Sequence, residues 1–428
     1  MTIDPTVSKP DQPKSDTSEV RLTHLHFGTG RLGLGLVAPC FQKPGSSLYL
    51  LNRAVSGSKD TGATALSSER RNALLQDNPD RCYVIQKPGG AEADRHVVHY
   101  DGFFAYGDDD IEDIVDGILT EALKGQGSLA VVVTASVLKT RNYGPIVRAL
   151  NAIATMAAAD HRIGTVILVA CENTISAHDV FRDEDLAALL SPAAHDRVIR
   201  VHALSDRMCV GLEEDTTGQH ATVLVRAEDY GSLKLEMTEA TEHLVPLLSG
   251  SGVEFSRHVD TEKQIKNWLL NGTHSLIALR AYQDSDGDHD LKLNQYLESR
   301  PEHAQFAREV MDEMRDGVSA LLRKDVRFES FVRDVDVDDY LNGAAAAILK
   351  RFSATDDPIT RILARFQAPT SDAVDSVASF SKRLVDRVDA PMRAFEEEHG
   401  SVPAAATHSV QSLLRLLASG TFIDSHAA

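Results

Sequence analysis

The stretch Gly28-Thr29-Gly30-Arg31-Leu32-Gly33 decides the fold of this chain, because it joins a strand pattern to a helix pattern. A GxGxxG sequence is a weak signal alone, but between a strand and a helix it is typical of dinucleotide binding. The first glycine permits a tight turn, the second lets the backbone approach a pyrophosphate, and the third lets helix and strand pack closely. The helix N-terminus favours the anion. The stretch therefore predicts a phosphate-binding loop; a glycine-rich turn without a ligand is the alternative.

The first half of the chain alternates strand-like and helix-like segments. Residues 129–134 and 166–170 are continuous apolar runs, as expected for parallel strands buried on both faces. Shorter strand candidates lie at residues 22–27, 47–51, 82–86, 97–100, 200–204 and 222–226. After about residue 260, apolar stripes with the helical period begin at Phe306, Ile359, Val374 and Val410. These patterns predict an α/β fold, with a Rossmann-type doubly wound sheet in the N-terminal domain and a mainly helical C-terminal domain.

Three segments are expected along the chain. Residues 1–20 are rich in Pro, Ser, Thr, Asp and Lys and lack an apolar core, which predicts a disordered N-terminal segment rather than a signal peptide. Residues 21–205 are assigned to the dinucleotide-binding domain. Residues 206–428 are assigned to a mainly helical substrate and catalytic domain, with the boundary somewhere in 205–260.

Composition limits the classes of partner. The chain has 428 residues and a formal net charge of −19, which disfavours nucleic acid and anionic membrane surfaces. No apolar run approaches the ~20 residues needed to span a bilayer. The four cysteines form no CxxC pair and are typical of reduced thiols, so we expect a cytoplasmic protein without a disulfide framework or a zinc knuckle.

The end of the second strand candidate bears on the choice of cofactor. Proteins that bind NAD commonly place an acidic residue there, where it binds the ribose 2′-hydroxyl. Here the strand ends in Asn52-Arg53. An arginine could pair with a 2′-phosphate through two hydrogen bonds, which favours NADP. The alternative is that Arg53 stacks on the adenine and the cofactor is NAD.

A second stretch, Lys266-Asn267-Trp268-Leu269-Leu270-Asn271-Gly272-Thr273-His274, carries groups suited to alcohol oxidation without a metal. Thr261 as N-cap and Gln264 three residues later predict an α-helix through it. In an α-helix, Lys266, His274 and Asn271 lie at about 0°, 80° and 140°, on one face. A lysine that loses its proton near neutrality can remove an alcohol proton, while amide and imidazole polarise the same oxygen. A solvated lysine and two satisfied polar residues are the alternative.

Four blocks in order resemble one known family. They are His26-Phe27-Gly28-Thr29-Gly30-Arg31-Leu32-Gly33, Val169-Ala170-Cys171-Glu172-Asn173, Ser205-Asp206-Arg207-Met208 and the Lys266-x4-Asn271-x2-His274 spacing. Together they resemble the polyol-specific long-chain dehydrogenases, the family of mannitol dehydrogenases and mannitol-1-phosphate 5-dehydrogenases. The blocks span residues 22–280, and the remainder is similar only in being helical.

The resemblance implies roles for the matched residues. Lys266 corresponds to the general base in alcohol oxidation and the acid in ketone reduction. Asn173 and Asn271 correspond to the pair that holds the reacting oxygen, and His274 to a residue that orients the substrate. Asp206 either contacts a substrate hydroxyl or forms a structural ion pair with an arginine. The predicted cofactor contacts are Gly28, Gly30, Arg31, Leu32, Gly33, Asn52, Arg53, Thr134 and Ala135.

The residues and the resemblance together predict an NAD(P)-dependent oxidoreductase that interconverts a sugar alcohol, free or phosphorylated, and the corresponding ketose. No metal is expected, and the expected partners are a small-molecule polyol, ketose or sugar phosphate. One alternative is a hexuronate oxidoreductase of the same family; another is a nucleotide-sensing protein without turnover. The sequence leaves the oligomeric state open. The acidic residues 284–290 are interpreted as a solvated loop, because their glycine is not at the calcium-loop position.

Overall fold

The computed structural model describes residues 20–54, 66–107, 109–137, 139–172, 177–288, 290–364 and 373–419. In chain order its strands are β1 Arg21–Phe27, β2 Ser47–Arg53, β3 Cys82–Gln86, β4 His96–His99, β5 Gly102–Tyr106, β6 Leu129–Ala135, β7 Ile163–Ala170, β8 Val198–Val201, β9 Ala203–Asp206, β10 Cys209–Asp215, β11 Thr222–Ala227, β12 Ser232–Glu236 and β13 Val253–Ser256. The predicted disordered segment lies, up to residue 19, outside these ranges.

Helices occupy most of the remaining described chain. The α-helices are Ala38–Cys40, Ser68–Asp77, Ile111–Ala122, Gly144–Ala159, Ala177–Arg182, Glu184–Ala187, Pro192–Arg197, Leu244–Leu247, Val259–Ile265, Thr273–Asp284, Leu293–Ser299, Pro301–Lys324, Glu329–Asp334, Val337–Ala354, Ile359–Ala364, Ala373–His399 and Ala404–Ser419. Two stretches are π-helical, Gly33–Val37 and Lys266–Gly272, and short 3-10 turns lie at Glu92–Asp94, Thr140–Tyr143 and Val326–Phe328. Within the described ranges, every helix is too short or too polar to cross a bilayer.

The main sheet has the strand order β5-β2-β1-β6-β7-β8, and all its strands are parallel. The order reverses between β1 and β6, where His26 lies opposite Thr134. In open parallel sheets, ligands bind beyond the carboxyl ends of the strands at such a reversal. The predicted doubly wound sheet is confirmed, and the predicted phosphate-binding loop follows β1 at this point.

The central strands are buried on both faces, which explains their continuous apolar runs. Along β6, Val131 and Val133 pack with the helices Ile111–Ala122 and Gly144–Ala159. Ala130 and Val132 face the opposite side, in a core that includes residues of β12. Full burial of a valine side chain contributes about 1.5–3 kcal/mol to stability. A shift of the strand by one residue would move every side chain to the opposite face, so packing on the two faces fixes its register.

The structure corrects two strand predictions. Residues 200–204 form no single strand: β8 ends at Val201, and β9 leaves the main sheet to pair antiparallel with β12. The candidates at 82–86 and 97–100 are strands, but they lie in a second sheet of order β10-β11-β3-β4. β5, which no pattern indicated, completes the edge of the main sheet instead.

The described residues from Val259 onward are mainly helical, as predicted, and have their own apolar core. Its long helices Pro301–Lys324 and Ala373–His399 approach closely: a Cβ on Gly317 would lie 2.1 Å from the Pro391 carbonyl oxygen. Strands continue up to Ser256, so the change from strands to helices falls inside the predicted interval of 205–260. The domain boundary at 205/206 stays a prediction.

Candidate active site

The predicted phosphate-binding loop connects β1 to a helix over residues 31–40. Gly28 has a φ of 99°, a left-handed conformation that favours glycine. A Cβ on Gly33 would lie 2.3 Å from Gly28 O and 2.4 Å from His26 Nε2. A Cβ on Gly30 would meet no described atom within 4 Å. The backbone at Gly30 therefore borders open space, as a loop that accommodates a pyrophosphate requires.

Gly30→Ala should weaken the binding of NADPH and NADH by about tenfold or more, from the roughly 1–3 kcal/mol typical of overpacking. The added methyl group enters space that a ligand would need, so the free energy of unfolding should change little. Gly33→Ala is the matched comparison: its methyl group meets protein atoms, and it should also lower stability. Calorimetric titration and urea unfolding separate the two effects. Unchanged cofactor affinity in Gly30→Ala would contradict the assignment of the loop.

Buried polar side chains hold this loop from inside the sheet. His26 Nε2 lies 2.9 Å from Gly28 O, which can only accept, so Nε2 carries the proton. His26 Nδ1 then accepts from the Thr134 hydroxyl at 2.6 Å, and Thr134 accepts from His24 Nε2 at 2.7 Å. Both histidines are buried: His26 is hydrogen-bonded at both ring nitrogens, whereas His24 is bonded at Nε2 only and its Nδ1 has no hydrogen-bond partner. The Thr134 hydroxyl is engaged in these two hydrogen bonds. Contacts of Thr134 and Ala135 with a cofactor stay predictions.

These histidines should make stability depend on pH. Burial lowers the pKa of His26 to about 4, and burial together with His26 lowers that of His24 below its ordinary 6.5. Because the pKa values of both histidines are lower in the folded protein than in the unfolded chain, the neutral rings favour folding above pH 6.5. This contribution to stability is lost as the pH falls toward 4. We expect the free energy of unfolding to decrease by about 2–3 kcal/mol between pH 7 and 4.5 through His26. Urea unfolding at a series of pH values measures this decrease. A wild-type free energy of unfolding that changes with pH no more than that of His26→Gln would contradict the prediction.

The end of β2 is tied to the loop through amides. Asn52 Oδ1 accepts from the Thr29 amide at 3.3 Å, and Asn52 Nδ2 donates to Asn72 Oδ1 at 2.7 Å. The Arg53 side chain is exposed at the strand end. Arg71 donates to the Thr29 hydroxyl at 3.0 Å, so a second cation lies beside the loop. Sequence reasoning missed Arg71, because 42 residues separate it from Thr29.

The other two predicted loop contacts lie at the start of the helix. Arg31 is exposed and donates to Val210 O at 3.1 Å, across to β10. Leu32 is partly buried and packs with the core beneath β6 and β7. Contacts of Arg31 and Leu32 with a cofactor stay predictions.

The helix that carries Lys266 differs from the predicted one at its start. It begins at Val259, with His258 at the N-cap, so the capping box at Thr261 is wrong. The reason is local: the hydroxyl of Ser256 accepts from the His258 amide at 3.0 Å, which starts the helix earlier. From Lys266 to Gly272 the helix is π rather than α, so the angles expected for an α-helix are also wrong.

Lys266 lies at the carboxyl edge of the main sheet. Its Nζ donates to Ser205 O at 2.5 Å and lies 3.7 Å from Asp206 Oδ1. The Ser205 hydroxyl in turn donates to the carbonyl oxygen of Cys171 at 3.4 Å, directly after β7. The side chain of Lys266 is 14% exposed. The lysine is therefore mostly buried, on the side of the sheet where folds of this class bind ligands.

Asp206 belongs to a buried charged cluster. Arg351 donates to both of its oxygens, at 2.9 and 3.2 Å, and to both oxygens of Glu228, at 2.7 and 3.1 Å. The Arg351 guanidinium also lies 4.7 Å from the ring centroid of Tyr230. Burial raises the pKa of Asp206, but Lys266 and Arg351 lower it, and the net result is below the ordinary value. The ion pair foreseen as an alternative for Asp206 is present, and Asp206 is ionised at neutral pH.

His274 and Asn271 occupy different surroundings. The buried ring of His274 stacks on Phe352, with centroids 4.7 Å apart, and its Nε2 lies 3.5 Å from Asp357 Oδ2. Asn271 is partly exposed, and its Nδ2 donates to Asn267 Oδ1 at 3.5 Å. Phe352 follows Arg351 in the chain, so the end of one helix contacts His274 directly and, through Arg351, contacts Asp206, which lies beside Lys266.

The motif at the end of β7 positions that strand against the lysine helix. The Glu172 carboxylate is buried and accepts from the Val137 amide and the Tyr143 hydroxyl, both at 2.6 Å. Lys263 Nζ donates to Glu172 O at 3.4 Å, one turn before Lys266. Asn173 lies outside the described residues, so its predicted approach to the reacting oxygen stays a prediction.

Comparisons with known proteins show the fold. No family model matches the chain, and no curated protein sequence does. The chain is similar to Pseudomonas fluorescens mannitol 2-dehydrogenase, solved in a ternary complex with NAD and D-mannitol: the TM-score is 0.53 at 15% identity, over 93% of this chain and 95% of that one. It is also similar to a D-sorbitol dehydrogenase in substrate-free form, with a TM-score of 0.54 at 16% identity, over 92% and 80%. The chain therefore has a polyol dehydrogenase-like fold over most of its described length.

Proposed function

We propose that this chain is an NAD(P)-dependent oxidoreductase that interconverts a sugar alcohol, free or phosphorylated, and the corresponding ketose. The observation that carries the proposal is the position of Lys266, which contacts Ser205 and Asp206 at the carboxyl edge of the main sheet. The predicted phosphate-binding loop follows β1 at the same edge. The backbone at Gly30 borders open space, so a ligand could contact it there. A nicotinamide cofactor and an acid–base lysine are together sufficient for alcohol–ketone chemistry.

The chain supplies the proton and the positions. The nicotinamide, when bound, accepts or delivers the hydride. In ketose reduction, the Lys266 ammonium donates a proton to the carbonyl oxygen; in oxidation, the neutral amine removes it from the hydroxyl. The carboxylate of Asp206, 3.7 Å away, attracts the ammonium form and so favours the proton donor. Asn271, Asn173 and His274 are assigned to orient the substrate oxygen.

The proposal is tested by following the oxidation of NADPH and NADH spectrophotometrically in the presence of fructose, fructose 6-phosphate, fructuronate and tagaturonate. We expect turnover with fructose or fructose 6-phosphate. Turnover only with the two sugar acids would make the chain a hexuronate oxidoreductase and contradict the polyol assignment. Tight cofactor binding without turnover on any ketose would favour a nucleotide-sensing protein.

NADPH is the proposed cofactor, and Arg53 is the residue that tests it. Arg53→Ala should lower the affinity for NADPH by roughly 1.5–3 kcal/mol, the value of a hydrogen bond to a charged group, and that for NADH much less. Arg70→Ala is the matched control, because Arg70 is an exposed arginine in the helix Ser68–Asp77 after β2 and pairs with Glu214. Calorimetric titration of both cofactors measures the effect. Tighter binding of NADH than NADPH by the wild type would contradict the inference from Asn52-Arg53.

A further inference from the structure

A histidine pair and a carboxylate meet outside the proposed hydride-transfer site. His178 lies in the helix Ala177–Arg182, His202 lies between β8 and β9, and Glu236 ends β12. One ligand atom from each lies within 4.8 Å of the other two. The imidazole centroids of His178 and His202 are 4.5 Å apart. Imidazole nitrogen and carboxylate oxygen are ligands that Zn²⁺ commonly takes in proteins.

The backbone and a second carboxylate fix His202. Its Nδ1 lies 3.0 Å from Asp260 Oδ1, which can only accept when ionised, so Nδ1 carries the proton and Nε2 keeps its lone pair. A carboxylate bonded to the outer nitrogen of a histidine is typical of protein metal sites, where it orients the ring. The Glu236 amide donates to His202 O at 2.9 Å, so these two ligand residues share one rigid backbone connection.

The charges around the three side chains are nearly balanced. The cations Arg200, Arg182 and Lys263 act on the pair, and they are offset by Asp179, Asp260 and Glu236. The Arg200 guanidinium itself lies over the Phe181 ring, 4.5 Å from its centroid.

We propose that His178, His202 and Glu236 form a binding site for a divalent transition-metal cation of the zinc class, with Asp260 as the supporting carboxylate. Ligand atoms of a tetrahedral zinc site lie about 3.4 Å apart, so side-chain rotations need to shorten separations of up to 4.8 Å by up to about 1.4 Å. Three protein ligands leave one position for water. The sequence contains no HExxH motif or CxxC pair that would indicate the site.

The site holds elements together beside the hydride-transfer site. The metal would connect the helix after β7, the β8–β9 junction, β12 and, through Asp260, the helix that leads to Lys266. Asp260 precedes Lys266 by six residues, about 9 Å along a helix. We assign no step of the hydride transfer to this metal, in keeping with the expectation from the sequence that the reaction needs none.

The test is direct metal binding by the full-length protein after removal of metals with a chelator. Calorimetric titration with ZnCl₂ should show one Zn²⁺ per chain, and Co²⁺ should give the visible absorption of a four-coordinate nitrogen–oxygen site. Asp260→Asn should weaken Zn²⁺ binding by about 10–100-fold, the usual effect of losing an outer carboxylate. His178→Ala and Glu236→Gln should weaken it at least as much.

His195→Ala is the matched control, because His195 is an exposed histidine near Asp196 that lies outside the site. It should bind Zn²⁺ like the wild type. The conservative Glu236→Gln variant keeps the test valid if His178→Ala fails to fold, and circular dichroism monitors the fold of each. The proposal is overturned if the wild type binds no Zn²⁺, or if Glu236→Gln and a folded His178→Ala retain wild-type affinity. None of these measurements depends on catalytic activity.

Discussion

Lys266→Ala should lower turnover by about 10²–10⁴-fold, the usual contribution of a positioned acid–base group, while NADPH still binds. The reason is the location of its Nζ, mostly buried at the carboxyl edge of the sheet and in contact with Ser205 O and Asp206. Removal of the amine leaves the substrate oxygen without a proton donor. Steady-state kinetics with the accepted ketose and calorimetric titration of NADPH measure the two properties.

Two further variants separate proton transfer from a structural role. Lys266→Arg keeps a cation for Asp206 but does not titrate near neutrality, so it should fold normally and remain slow. Addition of methylamine should partly restore the turnover of Lys266→Ala, because a free amine can replace the missing acid. Lys124→Ala, at an exposed lysine that pairs only locally with Glu121, should match the wild type. Wild-type turnover in Lys266→Arg would rule out the assigned role.

Arg351→Leu should lower the free energy of unfolding by about 3–5 kcal/mol, because it leaves the buried carboxylate of Glu228 and the mostly buried carboxylate of Asp206 without their main cation. Arg323→Leu should cost less than about 1 kcal/mol, since its ion pair with Asp338 is exposed. Urea unfolding at pH 7 compares them with the wild type.

The destabilisation in Arg351→Leu should depend on pH with a defined sign. The pKa of Asp206 is lowered in the folded protein, so its contribution is present above the ordinary value of 3.8 and is lost as pH falls through the folded value. The difference between wild type and Arg351→Leu should therefore shrink at acid pH. An equal cost for Arg351→Leu and Arg323→Leu at pH 7 would contradict the account of the cluster.

The parts of the structure that local sequence determines were predicted correctly. Gly28, Gly30 and Gly33 lie within one strand-to-helix turn, so their spacing is sufficient to place that turn. Phosphate binding by the turn stays a prediction. The apolar runs of β6 and β7 reflect burial on two faces, which only a parallel sheet covered by helices provides. The apolar stripe that begins at Phe306 likewise corresponds to the buried face of the helix Pro301–Lys324.

Pairings between distant residues could not be predicted. β3 lies beside β11, about 140 residues later, and its short sequence carries no sign of which sheet it joins. Arg351 reaches Asp206 across 145 residues, so nothing near Asp206 indicated its partner. The π-helix at Lys266 also has no sequence signal, because α- and π-turns use the same residue types. The predicted grouping of Lys266, Asn271 and His274 was based on spacing, and their joint contact with a substrate stays a proposal.

The central claim is that a hydride reaches the carbinol carbon while Lys266 supplies the proton. Single-turnover reduction of the accepted ketose with NADPH deuterated at nicotinamide C4, followed by mass spectrometry of the product, tests it most directly. The account predicts one deuterium on the carbinol carbon, and transfer slowed by about 10²-fold or more in Lys266→Arg with the cofactor still bound. A product without deuterium, or transfer at the wild-type rate in Lys266→Arg, would contradict the account.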